Sequence, residues 1–182
     1  MVKHKFVLKL NKLETKKALQ FIVLFIVTYV ISNGLYQYIL WLYAPTPDPI
    51  TLYTSLVLCK IFPEFNATPF LFEAAVLISK SQQKLVHINE GCNGIALITT
   101  FLSFVIAFKS TLKNYLKFVP AAILSILLFN IFRLYILIEI KINYTSYFDI
   151  FHTYIFPAII YFITFLLMVL WVKFISLKQT KN

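Results

Sequence analysis

Four long apolar runs dominate this sequence and restrict what it can fold into. They lie at residues 18–43, 92–108, 118–140 and 151–177, and a helix that crosses the hydrocarbon core of a bilayer needs roughly 20 apolar residues. Hydrophobic residues make up 60% of the chain and charged residues 13%, against about 45–50% and about 25% in soluble domains. Lipid offers the backbone no hydrogen-bond partners, so we expect all four runs to be helical. The sequence predicts an all-α polytopic membrane protein, built as a single domain over residues 1–182.

The lysines predict how the four runs are oriented. Most of them form three groups, which lie before the first run, between the second and third, and at the end of the fourth. Cytoplasmic segments carry an excess of Lys and Arg, so four crossings place all three groups and both termini in the cytoplasm. We therefore expect a multi-pass protein of a bacterial inner membrane. The net charge of +10 does not indicate nucleic acid as a partner, because the lysines flank apolar runs and form no aromatic-interleaved groove.

A long connection at residues 44–91 is extracytoplasmic in this orientation. Its apolar stretch at residues 50–62 is too short to cross the bilayer and is expected to lie at the interface. Residues 74–79 and 85–88 resemble strands and flank a short polar segment. This pattern predicts a small β-hairpin before the second helix.

Arg133 is a functional candidate because of its position. It is the single arginine of the chain and lies inside the third run, where a charged side chain costs roughly 2.5–3.5 kcal/mol or more. Two purely structural roles are also compatible with the sequence. The side chain reaches the outer headgroups, or it pairs with Glu139, whose spacing of six positions is poor for a helical pair.

Cys92 lies between Gly91 and Asn93, with Gly94 next, at the outer start of the second run. The dipole of a helix N-terminus favours a thiolate, and the two glycines leave room for a substrate backbone to approach. Two non-catalytic roles are equally compatible with this position. Cys92 is a small buried apolar side chain, or it forms a disulfide with Cys59 on the oxidising side of the membrane.

His152 opens the fourth run on the outer side, after Asp149. Imidazole is the usual proton-transfer partner of a thiol near neutral pH. His87, in the predicted hairpin, is a competing base, whereas His4 lies on the cytoplasmic side. The histidines are scattered and neither cysteine has a second ligand at zinc spacing, so we expect no metal site and no cofactor.

The predicted orientation brings three weak candidates together. It follows from the lysines alone, yet it places Cys92, Arg133 and His152 in the outer half of the bilayer. They come from the second, third and fourth runs. A site built between membrane helices requires such an arrangement.

Three short motifs resemble those of exosortases and archaeosortases. Residues 90–95, Glu-Gly-Cys-Asn-Gly-Ile, resemble the cysteine motif of these proteins. Residues 130–133 resemble a second motif, in which Asn precedes Arg by three positions, and Phe151-His152 resembles the third. The order of the motifs matches over roughly residues 74–171, and the small size of the chain is similar to that of exosortase F.

The resemblance implies a cysteine peptidase or transpeptidase that cleaves the C-terminal sorting signals of membrane-tethered proteins by thioester chemistry. Cys92 is then the nucleophile, His152 the proton-transfer partner, and Arg133 the group that stabilises the oxyanion or orients the thiolate. The residues expected to contact substrate are Asn130, Asn93 and Gly94. A non-catalytic membrane partner and a transporter subunit are the alternative interpretations.

Overall fold

The computed structural model describes the backbone of residues 2–70, 74–81 and 83–179, and the side chains of most of them. Helices predominate, and a small sheet is inserted between the second and third helices. The main elements in chain order are α1 (Val2–Tyr43), α2 (Pro49–Ile61), β1 (Asn66–Phe70), β2 (Ala75–Lys80), β3 (Gln83–Ile88), α3 (Ile95–Ala107), α4 (Leu112–Asn143), α5 (Phe148–Ile150) and α6 (Phe156–Gln179).

Within the described residues, three helical segments are long and apolar enough to cross a membrane. They span Glu14–Tyr43, Leu112–Asn143 and Thr145–Ile175, so three of the four predicted runs are confirmed as long apolar helices. The second run differs, because α3 begins at Ile95 and has only 13 residues. That corresponds to about 20 Å of helix, short of the roughly 30 Å hydrocarbon core. The count of four crossings therefore stays a prediction.

α1 and α3 lie side by side and run in opposite directions. The ring of Phe21 in α1 meets the ring of Phe108, directly after α3, with centroids 6.1 Å apart. At the other end of the pair, Asn93, shortly before α3, donates a hydrogen bond to the hydroxyl of Tyr36 in α1. α3 therefore follows α1 over most of the apolar part of that helix, although it is the shorter of the two.

An aromatic cluster joins α4 to α6 at the end where α3 finishes. Tyr115 of α4 stacks on Trp171 of α6 with ring centroids 5.3 Å apart, and Phe118 meets Phe174 at 5.4 Å. Trp171 is fully buried. Lysines from all three sequence groups lie at this end, which we call the lysine end: Lys17, Lys109, Lys113, Lys117 and Lys173.

The sheet lies at the opposite end, which we call the cysteine end because it holds Cys92. β2 and β3 form the predicted hairpin. The sequence did not predict β1, which pairs antiparallel with β2 and makes the sheet three-stranded, in the order β1-β2-β3. One reason is that β1 reads Asn-Ala-Thr-Pro-Phe, and an internal proline argues against a strand.

The sheet packs one face on α2 and α4. Val76, Ile78 and Ile88 point from this face into an apolar cluster with Leu58 of α2 and Ile138 of α4. All five side chains are buried. Burial of such side chains stabilises the fold by about 1.5–3 kcal/mol each, so the sheet is fixed rigidly to the ends of two helices.

α2 begins at an Asp-Pro pair that fixes its first turn. Asp48 is the N-cap, and its Oδ1 accepts hydrogen bonds from the backbone nitrogens of Ile50, at 2.9 Å, and Thr51, at 3.2 Å. Pro49 occupies the first helical position, where a missing N–H costs nothing. The apolar stretch predicted at residues 50–62 is therefore a capped helix of 13 residues.

Candidate active site

The three residues predicted to be catalytic line one cavity. It has a volume of about 440 Å³ and lies at the cysteine end. Cys92 belongs to the wall that continues from β3, Arg133 to the wall made by α4, and His152 to the wall made by the segment before α6. Folding therefore brings together side chains that the sequence holds up to 60 positions apart, from Cys92 to His152.

Cys92 lies in a single 3₁₀ turn, Glu90–Cys92, between the sheet and α3. Its backbone nitrogen donates to the carbonyl of Asn89 at 2.9 Å, and its side chain is half-buried. Gly94, which precedes α3, has φ of 82°. Only glycine adopts this left-handed conformation without strain, so the turn that carries the thiol depends on it.

Asn130 fastens α4 to the turn that carries Cys92. Its Nδ2 donates to the carbonyl oxygen of Cys92 at 2.8 Å, and its Oδ1 accepts from Nη1 of Arg133 at 3.4 Å. The contact leaves no space beside Gly94, because a Cβ there would lie 3.3 Å from Cγ and Nδ2 of Asn130. Asn130 thus links the predicted nucleophile to the predicted cation.

Arg133 has an unused hydrogen-bond donor. Its Nε is buried and has no hydrogen-bond partner among the residues that the structure describes. The sequence also allowed an ion pair between Arg133 and Glu139. In the structure, Glu139 instead accepts a hydrogen bond from Asn143 Nδ2 at 3.1 Å. A buried polar group without a partner costs about 1–3 kcal/mol, so Arg133 is held here at a cost to the stability of the fold.

His152 reaches the cavity from a π-helical segment, Phe151–Ile155. Such segments are rare and occur frequently at functional sites. The imidazole stacks on Phe148, with ring centroids 5.5 Å apart and planes 7° apart. The ammonium of Lys141 lies 4.8 Å from the centroid of the same Phe148 ring. The ring orientation of His152 is therefore held by an aromatic platform.

The cavity has a second histidine and two cations in its walls. His87 of β3 also lines it, so the choice between His152 and His87 as the base stays open. Lys141 and Arg133 supply positive charge, and the lining residues include no carboxylate. Groups that carry or develop negative charge are favoured in such an environment.

Asn93 is fully enclosed by a polar network. Its exposed fraction is 0%, and its Nδ2 donates to the Tyr36 hydroxyl at 2.5 Å and to Thr51 Oγ1 at 3.0 Å. Its Oδ1 accepts from the backbone nitrogen of Ile95 at 3.0 Å. Thr51 Oγ1 in turn donates to Oδ2 of Asp48 at 2.5 Å. The network joins α1, α2 and the residue that follows the thiol.

The network changes how two predicted substrate contacts are interpreted. The amide of Asn93 is used by protein partners, and Gly94 is buried against Asn130, so both hold the turn in shape. Sequence reasoning missed Asp48, Thr51 and Tyr36. The sequence signal at these positions was the Asp-Pro pair, which indicates the start of a helix. It does not indicate that Thr51 contacts Asn93, 42 positions away.

Both cysteines are free, so the disulfide between Cys59 and Cys92 is not formed. Cys59 packs against the apolar cluster between the sheet, α2 and α4, as its apolar neighbours predict. Burial raises the pKa of the Cys59 thiol, which keeps it protonated and slow to react.

No group of three or more His, Cys, Asp or Glu side chains arranged to hold a metal ion occurs in the described part of the chain. Comparisons of the chain with protein-family models, with curated proteins and with solved structures found no match. Function must therefore be inferred from the residues and the geometry of the chain itself.

Proposed function

We propose that this chain is a membrane-embedded cysteine peptidase or transpeptidase of the exosortase type. Its substrates are membrane-tethered proteins with a C-terminal sorting signal. One observation supports this function above all others: Cys92, Arg133 and His152, from three separate segments, line the same cavity. A nucleophile, a base and a charge-stabilising group within one concave site are the elements that acyl transfer needs.

The reaction begins with attack of Cys92 Sγ on the carbonyl carbon of the scissile peptide bond. The thiol proton passes to the imidazole of His152, and the carbonyl oxygen becomes an oxyanion beside Arg133. Arg133 lines the same cavity, so its guanidinium is the cationic donor assigned to that oxygen.

Collapse of the intermediate breaks the C–N bond. The leaving amine takes the proton from the imidazole, and Cys92 is left as a thioester. An acceptor amine or hydroxyl, or water, then attacks the thioester and restores the free thiol.

The distribution of lysines between the two ends of the bundle supports a direction for the site. Cytoplasmic faces of membrane proteins are enriched in Lys, so the lysine end faces the cytoplasm of a bacterial cell. The cavity lies at the other end and opens toward the outside, where a sorting signal emerges after export.

The two alternative functions fit the geometry less well. A non-catalytic membrane partner has no use for a half-buried guanidinium and a half-buried thiol in the walls of one cavity. A transporter subunit keeps its binding groups near the midplane of the membrane, whereas Cys92 and His152 lie in the segments that precede helices at the cysteine end.

Replacement of the nucleophile is the decisive experiment. Cys92→Ala should abolish processing of a co-expressed protein that carries a sorting signal, measured as the loss of the shorter product on a gel. The matched control is Cys59→Ala, which removes the other thiol and should leave processing intact. Normal processing by the Cys92→Ala chain would refute a thiol mechanism.

A further inference from the structure

We infer, on the basis of the proposed peptidase function, that the substrate binds as an extended strand along the free edge of β3. The added strand lies in the cavity between β3 and the His152 segment and leads the scissile bond to Cys92. Addition of a strand to a sheet edge is a general mode of peptide recognition, in which main-chain hydrogen bonds supply the affinity.

The pattern of cavity-lining residues points to the strand edge. Leu85, Val86 and His87 are consecutive in β3, and all three line the cavity. Successive side chains of a strand point to opposite faces of the sheet. The extra residue Leu85 shares a face with Val86, since both pack on the same apolar cluster. His87 belongs to the other face, so a cavity that touches all three residues reaches around the edge of the strand.

β3 is an outer strand of the sheet in the described part of the chain. The strand order is β1-β2-β3, so the ladder of β3 with β2 occupies only one side of its backbone. α4 packs under β3, and Arg133 and Lys141 on α4 line the cavity together with β3. The open side of β3 therefore borders the site.

A bulge in β3 lies at the cavity. The pairing of β3 with β2 passes from Val86, opposite Ile78, to Lys84, opposite Ser79. Leu85 is therefore the extra residue, and it is one of the residues that line the cavity. Bulges are over-represented at sheet edges and beside active sites, where they redirect the backbone and side chains.

The opposite edge of the sheet is unsuitable for the same purpose. β1 carries Pro69 in its interior, and proline has no N–H to donate to an added strand. Proline is one of the residues by which proteins protect exposed sheet edges. β3 contains no proline, so only the edge beside Cys92 offers an uninterrupted backbone.

The chain itself links this edge to the thiol. β3 ends at Ile88, and Cys92 follows after a single turn, Glu90–Cys92. A peptide paired with the cavity-lining part of β3 consequently continues past the sulfur. The binding edge and the nucleophile are parts of one continuous wall.

Peptidyl chloromethyl ketones test this binding mode without knowledge of the natural substrate. The full chain carrying Cys59→Ala has Cys92 as its single thiol. It is treated with acetyl-tetra-alanyl chloromethyl ketone, and with versions N-methylated at one alanine each. In each reaction the Cys92 Sγ–carbon bond forms, the carbon–chlorine bond breaks, chloride leaves and the thiol proton goes to buffer. Intact-mass spectrometry gives the rates.

Strand pairing predicts an alternating response. N-methylation removes one N–H, so it should slow labelling at least about fivefold at every second alanine, as expected for one lost hydrogen bond, and less than about twofold at the others. Iodoacetamide has no peptide chain that could pair with β3. It therefore measures the reactivity of Cys92 without any contribution from strand pairing. Equal effects at every position, or none, would overturn strand addition.

Two further results separate the possible failures. If iodoacetamide does not label Cys92, the thiol is closed to solvent and the proposed peptidase function fails together with this binding mode. If iodoacetamide labels Cys92 but the methylated series shows no alternation, only strand addition fails. Pro69→Ala, which restores a donor on the opposite edge, should leave every rate unchanged; a change would assign binding to β1.

Discussion

The two ends of the helical bundle both contain packed apolar side chains, but the cysteine end adds hydrogen bonds between distant parts of the chain. At the lysine end, large aromatic rings such as Tyr115, Phe118 and Trp171 fill the space between α4 and α6. At the cysteine end, hydrogen bonds join residues 38, 42 and 57 positions apart. Apolar packing tolerates substitutions that keep volume and patterning, whereas a buried hydrogen bond fixes one geometry and is costly to leave unmade.

The lysine end serves to hold the helices together, whereas the cysteine end also positions the residues of the candidate active site. Ring packing at the lysine end holds helices together without fixing any atom to a fraction of an ångström. The polar network at the cysteine end fixes the turn that carries Cys92 to α1, α2 and α4 at once. A reacting group must be held within about 0.5 Å of its productive position, so we expect the two ends to respond differently to substitution.

The largest effect is expected at Arg133. Arg133→Lys keeps the charge but loses the planar donor fork and Nε, so processing of a sorting-signal protein should fall about 100-fold or more if that donor serves the oxyanion. Rates come from a pulse–chase assay in cells. The matched control is Lys173→Arg at the lysine end, which should process normally. Equal activity of the Arg133→Lys chain would mean that the guanidinium supplies charge only.

The next largest effect is expected at Gly94. Gly94→Ala forces a side chain into a left-handed conformation and against Asn130, which should cost about 1–2 kcal/mol for the backbone alone. Thermal unfolding in detergent measures the loss. Gly34→Ala is the control, because a Cβ there has no atom within 4 Å. It lies inside α1, so it should be neutral or stabilising. Equal stability of the two variants would contradict the close contact with Asn130.

A smaller effect is expected when the polar network is cut. Thr51→Val leaves Asn93 and Asp48 each without one hydrogen-bond partner, which should cost about 1 kcal/mol or more and slow alkylation of Cys92 severalfold. Thr51→Ser keeps the hydroxyl and should restore the rate. Thr164→Val is the control, because that buried hydroxyl donates to the Ile160 carbonyl of its own helix at 2.9 Å. An unchanged alkylation rate in Thr51→Val would mean that the polar network does not influence the reactivity of Cys92.

The smallest effect concerns the second thiol. Burial raises the pKa of Cys59, so less thiolate is present at any given pH than for an ordinary cysteine. In a Cys92→Ala chain, alkylation of Cys59 should stay slow at neutral pH and increase only above the ordinary thiol pKa of about 8.5. Mass spectrometry over a series of pH values measures the rate. Rapid labelling at neutral pH would show that Cys59 is not shielded by the cluster around it.

Much of the fold was predictable from local patterns. Three apolar runs became long helices, and the strand-like segments on either side of a polar turn became β2 and β3. Two features were not predictable. β1 contains Pro69, which is compatible with a strand only because it lies at a sheet edge, and α3 begins at Ile95, after the 3₁₀ turn that carries Cys92, whereas the predicted run begins at residue 92.

The candidate site was predictable only in part, and the division has a physical reason. The sequence by itself determined that the chain has membrane-length apolar helices and that Cys92, Arg133 and His152 are unusual for their positions, because hydropathy and charge are properties of short contiguous segments. Only the tertiary structure decided that these three residues share a cavity, that Asn93 is bound by Thr51 and Tyr36, and that β3 is the free edge beside the thiol. Contacts between residues tens of positions apart depend on how the helices pack. The hydropathy of one segment does not show which other segment it packs against.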